Sequence, residues 1–353
     1  MKILGIETSC DETGVGIVQD GHKLLANEVA TSMDIHAEYG GVVPEIAARS
    51  HIEFMMPTLK KALKTASCTW GDIDGIAITY GAGLGGSLLV GVLTARTLAI
   101  THNKPLYAIN HVEAHVYANF LTSTSLPDYQ LAKKQPTFPL LAVIVSGGHS
   151  QLALFEDHFT YKLLGQTQDD AIGEAFDKVA KIIGLPYPGG PSVSLAAKNG
   201  NANTYKFPKA KLEHPYDFSF SGLKTAVLRT SQQIAGVDIS FPSQQIASRL
   251  SEGQKADIAA SFEKTAIETV VDKAVLAFNQ FSPASVVIAG GVAANQELRK
   301  QLRERLPINI EYTDPKLCTD NGAMVATLGF FKAMHHSATA DPYTLDISPN
   351  LSM

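Results

Sequence analysis

The chain has 353 residues and a formal net charge of −5, with 45% hydrophobic and 18% charged residues. This composition excludes a largely disordered chain and is typical of a globular protein long enough for two domains. The acidic balance also argues against a protein that binds nucleic acid through a general positive surface, since phosphate contact usually requires a basic surplus. A nucleic-acid substrate would require a local basic patch or a partner protein.

The apolar segments and the cysteines predict a cytoplasmic protein with no membrane partner. The longest apolar runs, 87–100 and 139–148, are too short for a bilayer or are interrupted by Arg96. The N-terminal stretch MKILGIETSC turns polar after six residues, so it does not resemble a secretory signal. Three widely separated cysteines suit a reducing compartment better than a disulfide framework.

Three segments in chain order predict a duplicated α/β fold. Residues 2–18 and 140–155 each show an apolar strand, a turn of glycine or small polar residues, and a second strand. Residues 285–302 show a strand that runs through two glycines into a helix. Because the strand-turn-strand unit recurs about 140 residues along the chain, we expect a duplicated domain in which strands alternate with helices.

The patterns between these segments are helical or irregular. Residues 255–280 carry an apolar stripe at helical spacing. Residues 169–184 begin with acids and end at Gly184, which predicts a helix with a glycine stop. Residues 121–139 and 199–220 are polar, contain proline and predict irregular connections.

The segment HVEAH places His111 and His115 four residues apart, so that a helix would present both rings on one side. This spacing favours a pair of metal ligands over two structural histidines. A protease of the HExxH type needs a glutamate beside its first histidine, but Glu113 stands two positions on, roughly 200° around the helix. Glu113 should therefore point away from the metal.

A third ligand must come from elsewhere in the chain, and Asp320 in LCTDNGAM is the best candidate. The alternative is that Asp320 only caps the apolar helix predicted over 323–331. Two histidines and one carboxylate leave open positions on a metal, which suits iron(II), and also zinc or manganese.

The turn SGGH at 146–149 follows a fully apolar strand, and its glycines would let backbone N–H groups approach an anion. A plain hairpin is the alternative. Since no GxxxxGK[ST] sequence occurs, a nucleotide would be bound by turns of this kind, including 187–192 and 289–295. Asn295 could contribute to that site or could only cap the following helix.

Three acidic residues each allow a functional and a structural interpretation. Asp11 and Glu12, in the turn between the first two strands, could orient a nucleophile or a metal-bound phosphate, or could only form bonds within a hairpin turn. Asp177 lies in mid-helix between apolar residues, where aspartate has a poor propensity. It suggests a contact with a ribose or an amine, and the alternative is an exposed ion pair with Lys181.

Nine motifs occur in order along the chain: GIETSCDETG (5–14), HAEYGGVVPEIAARSH (36–51), NHVEAH (110–115), VSGGHSQL (145–152), DDAIGEAFDKVAK (169–181), YPGGP (187–191), DFSFSGLKTA (217–226), AGGVAAN (289–295) and CTDNGAM (318–324). Together they resemble the tRNA threonylcarbamoyladenosine transferase family in its bacterial form, a family formerly called O-sialoglycoprotein endopeptidases. The likeness covers nearly the whole chain. Two departures are Asn110, where relatives often have a further histidine, and the polar insertion at 121–137.

This resemblance implies the duplicated α/β fold of actin, sugar kinases and the Hsp70 ATPase domain, with two lobes and the active site in the cleft. The implied N-terminal lobe comprises residues 1–110 and 322–345. The implied C-terminal lobe, 111–321, would carry the metal and most of the substrate-binding residues.

The resemblance also implies an acyltransferase reaction. The threonylcarbamoyl group of threonylcarbamoyl-AMP passes to the N6 amine of the adenosine 3′ of the anticodon, in tRNAs that read codons beginning with A, and AMP leaves. By position, His111, His115 and Asp320 would bind one divalent metal, iron(II) or zinc. Asp11 is our candidate for assisting deprotonation of the amine. The adenylate, or ATP or AMP, would be bound by Ile144, Val145, Ser146, Gly147, Gly148, Asp177, Gly190 and Asn295.

The implied partners are tRNA, a paralogous actin-fold protein without the metal site and a small ATPase, while a separate enzyme makes the adenylate. Residues 36–65, with Met55 and Met56, would dock the paralogue, unless these methionines belong to the core. Two alternative functions follow from the same motifs. One is a metallopeptidase, as the older family name suggests, and the other is a nucleotide-binding scaffold without catalysis.

Overall fold

The structure of the protein is a computed structural model that describes all residues from 1 to 353. The chain forms two compact units, one of Met1–Pro136 with Glu311–Met353 and the other of Thr137–Ile310. The strands are β1 Lys2–Glu7, β2 Glu12–Gln19, β3 Lys23–Thr31, β4 Gly75–Gly81, β5 Leu106–Asn110, β6 Ser123–Thr124, β7 Leu140–Val145, β8 Ser150–Asp157, β9 Thr160–Gln166 and β10 Ser285–Ala289.

The α-helices alternate with these strands, as the sequence predicts. They are α1 Met33–Tyr39, α2 Pro44–Thr65, α3 Gly85–His102, α4 His111–Tyr117, α5 Ile172–Ile183, α6 Gly189–Ala197, α7 Ser221–Ile234, α8 Glu252–Phe281, α9 Gln296–Arg305 and α10 Gly322–Met334. None of them is long and apolar enough to cross a membrane. The three cysteines form no disulfide.

The first unit is built on a six-stranded sheet in the order β5-β4-β1-β2-β3-β6. Strands β1, β2 and β3 are antiparallel, while β4 and β5 run parallel to β1. Two paired glycines of this sheet, Gly5 and Gly16, lie directly under α10. A Cβ on Gly5 would come within 2.2 Å of the Gly322 carbonyl oxygen, and one on Gly16 within 2.2 Å of the Ala323 nitrogen. The glycines of the first two strands therefore let α10 lie close on the sheet.

The second unit repeats this plan on a four-stranded sheet in the order β10-β7-β8-β9. Strands β7, β8 and β9 are antiparallel, and β10 runs parallel to β7. This matches the order and the directions of β4-β1-β2-β3 in the first unit. The predicted α/β fold with a duplicated, actin-like topology is confirmed.

The unit boundaries differ from those implied by the resemblance, which placed the divisions after residues 110 and 321. Strand β6 pairs with β3, and α4 packs against α10, so the segment after β5 belongs to the first sheet. The backbone N–H of Gln130 also donates to Asp314, and that of Lys133 to Glu311. Residues 111–136 and 311–321 thus join the first unit, and the predicted metal ligands lie there rather than in the second.

Most predicted elements are present with shifted ends. The helix predicted over 255–280 is α8, which starts at a capping box formed by Ser251 and Gln254. The helix predicted over 169–184 begins only at Ile172, and Gly184 ends it with φ 75°. The segment 199–220 contains no helix or extended strand, as predicted.

Candidate metal centre and nucleotide site

The histidine pair owes its position to the end of β5. The side-chain oxygen of Asn110 accepts hydrogen bonds from the backbone N–H groups of Val112 and Glu113 at 2.8 and 3.3 Å. Such a cap stabilises a helix start by about 1 kcal/mol. Helix α4 therefore begins at once, with His111 in its first turn and His115 one turn further on.

Asp320 completes a cluster of three ligand atoms. Its Oδ1 lies 3.1 Å from Nε2 of His115 and 3.6 Å from Nε2 of His111. All three ligand atoms lie within 4.8 Å of one another. A metal held at about 2.1 Å by each atom would place its ligands about 3.0–3.4 Å apart in octahedral or tetrahedral geometry. The observed distances approach this range.

The alternative in which Asp320 caps α10 does not hold. The neighbouring Asn321 takes that role, because its side-chain oxygen accepts the Met324 N–H at 3.0 Å. The Asn321 amide also donates to the carbonyls of Leu317 and Thr319. The cap is thus made one residue later, and the Asp320 side chain faces the histidines instead.

His115 provides the test of whether these residues fit a metal. Only 2% of this residue is exposed, yet neither ring nitrogen makes a hydrogen bond, although Nε2 lies close to Asp320. A buried polar atom without a partner costs about 1–3 kcal/mol. A cation at Nε2 would remove that cost for one of the two nitrogens. The His–His–Asp group is therefore suited to bind a metal.

Two side chains approach the other ring nitrogen of His111. Its Nδ1 lies 3.2 Å from Oε2 of Glu7 and 3.0 Å from Oγ of Ser9. Burial alone would lower the pKa of His111, but the carboxylates of Asp320 and Glu7 outweigh burial and raise the pKa to about 9. The sequence interpretation missed Glu7. The only indication of Glu7 in the sequence is that an acidic residue ends an otherwise largely apolar strand.

Asp11, after β1, and Glu12, the first residue of β2, add two carboxyl groups beside this cluster. Asp11 is 7% exposed, and its carbonyl oxygen accepts hydrogen bonds from the N–H and the hydroxyl of Ser32. Burial, together with the charges of Asp320 and Asp11, raises the pKa of Glu12 well above its usual value. Glu12 also hydrogen-bonds to Asp11. The two carboxyl groups therefore bond to each other, while the Asp11 backbone bonds to Ser32.

Glu113 stands outside the metal cluster, as its rotation around α4 predicts. It is buried, and Lys332 of α10 is its charged neighbour. Burial raises the pKa of Glu113, although Lys332 opposes the shift. The acid of the HVEAH segment thus lies in a separate environment, away from the ligand atoms.

In the second unit, the predicted anion-binding turn follows β7. The Ser146 N–H donates to the His149 carbonyl at 2.8 Å, and the His149 N–H donates to the Ser146 hydroxyl at 3.0 Å. Gly147 and Gly148 are exposed, and an added Cβ on either would meet no atom within 4 Å. Their backbone is therefore open to a ligand.

Two further residues of the predicted adenylate set, Ile144 and Val145, have fully buried side chains. Ile144 pairs with Ala289 of β10, and Val145 pairs with Ser150 of β8. Their side chains belong to the core. They fix the position of the turn, and only their backbone could contact a substrate.

Asp177 contacts the glycine turn before α6. Its Oδ1 accepts the Gly189 N–H at 2.6 Å. Burial raises the pKa of Asp177, and hydrogen bonds from the backbones of Gly189 and Gly190 oppose that shift. The carboxylate of Asp177 bonds to this turn and forms no ion pair with Lys181. A Cβ on Gly189 would lie 2.4 Å from the Asp177 Cα, whereas Gly190 faces open space.

Asn295 is the cap of α9, as its alternative interpretation predicts. Its side-chain oxygen accepts the Leu298 N–H at 2.9 Å. Its amide nitrogen donates to Glu263 of α8 at 2.8 Å and contacts the hydroxyl of Ser194 at 3.1 Å. Ser194 in turn donates to Glu263 at 2.6 Å. The sequence interpretation missed Glu263. The only indication in the sequence is that a glutamate lies on the apolar side of a long helix.

A chain of contacts joins the predicted adenylate residues. The Gly173 N–H at the start of α5 donates to the Ser146 carbonyl at 3.1 Å, which ties the turn to this helix. The bond from Gly189 to Asp177 then joins α6 to α5, and the contact between Ser194 and Asn295 joins α6 to the loop after β10. Separate motifs thus meet within one unit.

The fold places the chain in the actin-like class, and the His–His–Asp cluster gives it a candidate metal site. A family model described as tRNA N6-adenosine threonylcarbamoyltransferase matches residues 23–327. The chain belongs to this family, whose members are transferases that modify tRNA.

Comparisons with individual proteins agree. A relative of that name from Thermomicrobium roseum is 46% identical over 94% of this chain and 92% of its own. Another of that name from Desulfitobacterium hafniense is 45% identical over 100% of this chain and 98% of its own. The crystal structure of full-length HypF shares the fold with a TM-score of 0.59 at 13% identity, over 95% of this chain and 56% of HypF.

Proposed function

We propose that the protein transfers the threonylcarbamoyl group of threonylcarbamoyl-AMP to the N6 amine of the adenosine 3′ of the anticodon, in tRNAs that read codons beginning with A. The observation that carries this proposal is the cluster of His111, His115 and Asp320, in a chain 46% identical to a relative named for the reaction. In the reaction, a bond forms between N6 and the carbamoyl carbon, and the bond from that carbon to the AMP oxygen breaks.

The proposed metal is iron(II), with zinc as the second candidate, because two histidines and one carboxylate leave positions open for a ligand. When bound, the ion would supply a Lewis acid that polarises the carbamoyl carbonyl and offsets negative charge on the phosphate. The chain's part is to hold three ligand atoms close together in a largely buried place.

The proposed adenylate site uses backbone donors for the phosphate. The open N–H groups of Gly147 and Gly148 suit an anion, since no side chain obstructs its approach. Gly190 offers a similarly open backbone, and Asp177 holds the start of α6 beside it. Asn295 lies at the end of the same chain of contacts, where its amide is fixed by Glu263.

The amine must lose a proton when N6 attacks, and Asp11 is the proposed acceptor. Burial and the adjacent carboxylates of Asp320 and Asp11 raise the pKa of its neighbour Glu12 well above the usual value. A hydrogen bond also joins the carboxyl groups of Glu12 and Asp11. A carboxylate in this position can receive the amine proton as AMP departs.

We further propose that the enzyme acts in the cytoplasm on tRNA together with a paralogous actin-fold protein and a small ATPase. The net charge of −5 predicts weak binding of tRNA by the isolated chain, so a partner should supply positive charge. The basis for a partner surface is an exposed apolar groove between α2 and α3. The groove is lined by Met56, Leu93, Thr94, Thr97 and Leu98.

The paralogue is the proposed occupant of this groove. Met56 and Leu93 are 48% and 47% exposed, and Ile52 beside them on α2 is 66% exposed. Such a run of exposed apolar side chains is typical of a protein contact. Met55, by contrast, is only 3% exposed and belongs to the core.

A transfer assay tests the proposal. Purified protein freed of metal and then reloaded with iron(II) or zinc would be incubated with labelled threonylcarbamoyl-AMP, unmodified tRNA, the paralogue and the ATPase. We expect label in tRNA and release of AMP only after reloading. Absence of transfer with every component present would refute the transferase. Unchanged tRNA modification in cells carrying alanine at His111, His115 and Asp320 would instead support the scaffold alternative.

A further inference from the structure

Glu7 is a fully buried carboxylate at the end of β1 that contacts three hydrogen-bonding groups. Its Oε1 accepts the Ser9 N–H at 2.6 Å. Its Oε2 accepts the Thr79 hydroxyl at 2.6 Å and lies 3.2 Å from Nδ1 of His111. An ionised carboxylate can only accept hydrogen bonds. Each of these neighbours must therefore present a proton to it.

This requirement decides which ring nitrogen of His111 is available to a metal. Nδ1 must carry the proton that bonds to Glu7, so neutral His111 has its lone pair on Nε2. Nε2 is the atom that lies 3.6 Å from Asp320 in the ligand cluster. The hydroxyl of Ser9, 3.0 Å from Nδ1, can rotate to donate or accept and imposes no such choice.

The two histidines differ in this respect. Nδ1 of His115 is buried and has no hydrogen-bond partner, so no acceptor behind that ring holds a proton on Nδ1. Only His111 has a carboxylate at its Nδ1, since the charged neighbour of His115, Asp320, lies at Nε2. In known metal sites, a carboxylate behind a histidine ligand fixes its tautomer and increases its basicity.

We infer that Glu7 is a positioning residue of the metal centre, which holds the Nδ1 proton of His111 and so directs Nε2 to the metal. The inference rests on the metal site of the proposed function and adds a residue that acts through His111. It concerns metal affinity, so it can be measured without the transfer reaction.

The substitution Glu7→Gln separates this role from simple packing. A glutamine has nearly the same shape, and its oxygen can still accept from Ser9 or Thr79. Its amide would donate to Nδ1 of His111 and thereby place the ring proton on Nε2, where it blocks the metal. A merely structural role would tolerate this exchange of one acceptor for an amide.

The matched control is Glu263→Gln in the second unit. Glu263 is also a buried glutamate that accepts hydrogen bonds from neutral side chains, those of Ser194 and Asn295. It has no part in the metal cluster. We would measure the Kd for zinc of the wild-type protein and both variants by competition with a chromophoric chelator, and compare the far-ultraviolet circular dichroism of the metal-free proteins.

The expected result is a loss of zinc affinity of about 10 to 100-fold in Glu7→Gln, with the control unchanged. Equal zinc affinity in wild type and Glu7→Gln would overturn the inference and leave the transferase untouched. Failure of the wild type to bind any divalent metal would instead contradict the metal part of the proposed function.

A second measurement covers the case in which Glu7→Gln does not fold. Zinc-loaded wild-type protein with nitrogen-15 histidine would be studied by NMR, with His111→Ala used for assignment. We expect His111 to bind zinc through Nε2 and to carry a proton on Nδ1. Coordination through Nδ1 would overturn the inference.

Discussion

Oδ1 of Asp177 accepts a hydrogen bond from the backbone N–H of Gly189 over 2.6 Å, so a side chain of α5 fixes the first turn of α6. The same turn carries Gly190, whose backbone faces open space. Asp177 therefore stands at a mid-helix position that aspartate disfavours, and its carboxylate makes a contact outside the helix. Its role in substrate binding would be to hold the glycine turn in place.

Replacing Asp177 with alanine should weaken the adenylate site more than the chemistry. Without the carboxylate, the start of α6 loses its anchor, and we expect KM for the adenylate to rise by about 10-fold or more while kcat changes little. Steady-state transfer kinetics would measure this. The control is Asp238→Asn, an exposed aspartate that bonds only to Ser240 within its own loop. A fall in kcat at unchanged KM would contradict this role.

The sequence predicted the strand-turn-strand units, helix α8 and the histidine pair because these depend on local patterns. Asp320 could be chosen only through its motif, since the contact with His115 depends on α10 lying close on the sheet over Gly5 and Gly16. Glu7 was not predicted, because the sequence of a strand does not show which histidine its last residue will contact. The pairing of β6 with β3, which joins the segment after β5 to the first sheet, involves only two residues and leaves no readable periodicity in the sequence.

Loss of one ligand should abolish metal binding. In His115→Ala or Asp320→Ala, only two ligand atoms of the cluster remain. We expect bound metal to fall from about one per chain to a trace, and transfer to fall by about 100-fold or more. Elemental analysis after purification without chelator would measure metal content.

The control for the ligand variants is His336→Asn, at an exposed turn position with φ 53°, where asparagine is well tolerated. This variant should keep both metal and activity. Full transfer activity in metal-free Asp320→Ala would show that the cluster has no part in the reaction.

Glu113→Gln should separate the transferase from the peptidase. A peptidase would need Glu113 as the base for metal-bound water, but this buried residue lies outside the ligand cluster and next to Lys332. We therefore expect metal content to be unchanged and transfer to stay within about twofold of wild type. Parallel assays of transfer and of casein hydrolysis would measure both. Peptidase activity in the wild type that is lost in Glu113→Gln would favour the older family name.

Asp170 should make stability depend on pH in a defined window. Burial would raise its pKa, but hydrogen bonds from Lys178 at 2.7 Å and Lys224 at 2.6 Å outweigh burial and lower the pKa below 3.8. A carboxylate with a lowered pKa adds stability above its unfolded value, and this stability is lost as pH falls through the folded value. Asp170→Asn should therefore be less stable than wild type at pH 7.

Calorimetry from about pH 7 down to about pH 3 would measure this difference. We expect the free energy of unfolding of Asp170→Asn to be about 1–3 kcal/mol lower than that of wild type at neutral pH, since hydrogen bonds between charged groups contribute that much. The difference in the free energy of unfolding between wild type and Asp170→Asn should become smaller as pH falls below 3.8. A gap that stays constant over the whole range would show that the two lysines do not stabilise the ionised form of Asp170.

A charge in the groove between α2 and α3 should prevent binding of the paralogue. Leu93→Glu would place a carboxylate among Met56, Thr97 and Leu98, where a partner would have to desolvate it. We expect the Kd for the paralogue to rise by about 100-fold or more, while zinc binding stays normal because Leu93 lies outside the ligand cluster. Ile239→Glu is the matched control, since Ile239 is 68% exposed but belongs to the second unit. If Leu93→Glu and the control bound the paralogue equally well, the partner would have to occupy another surface.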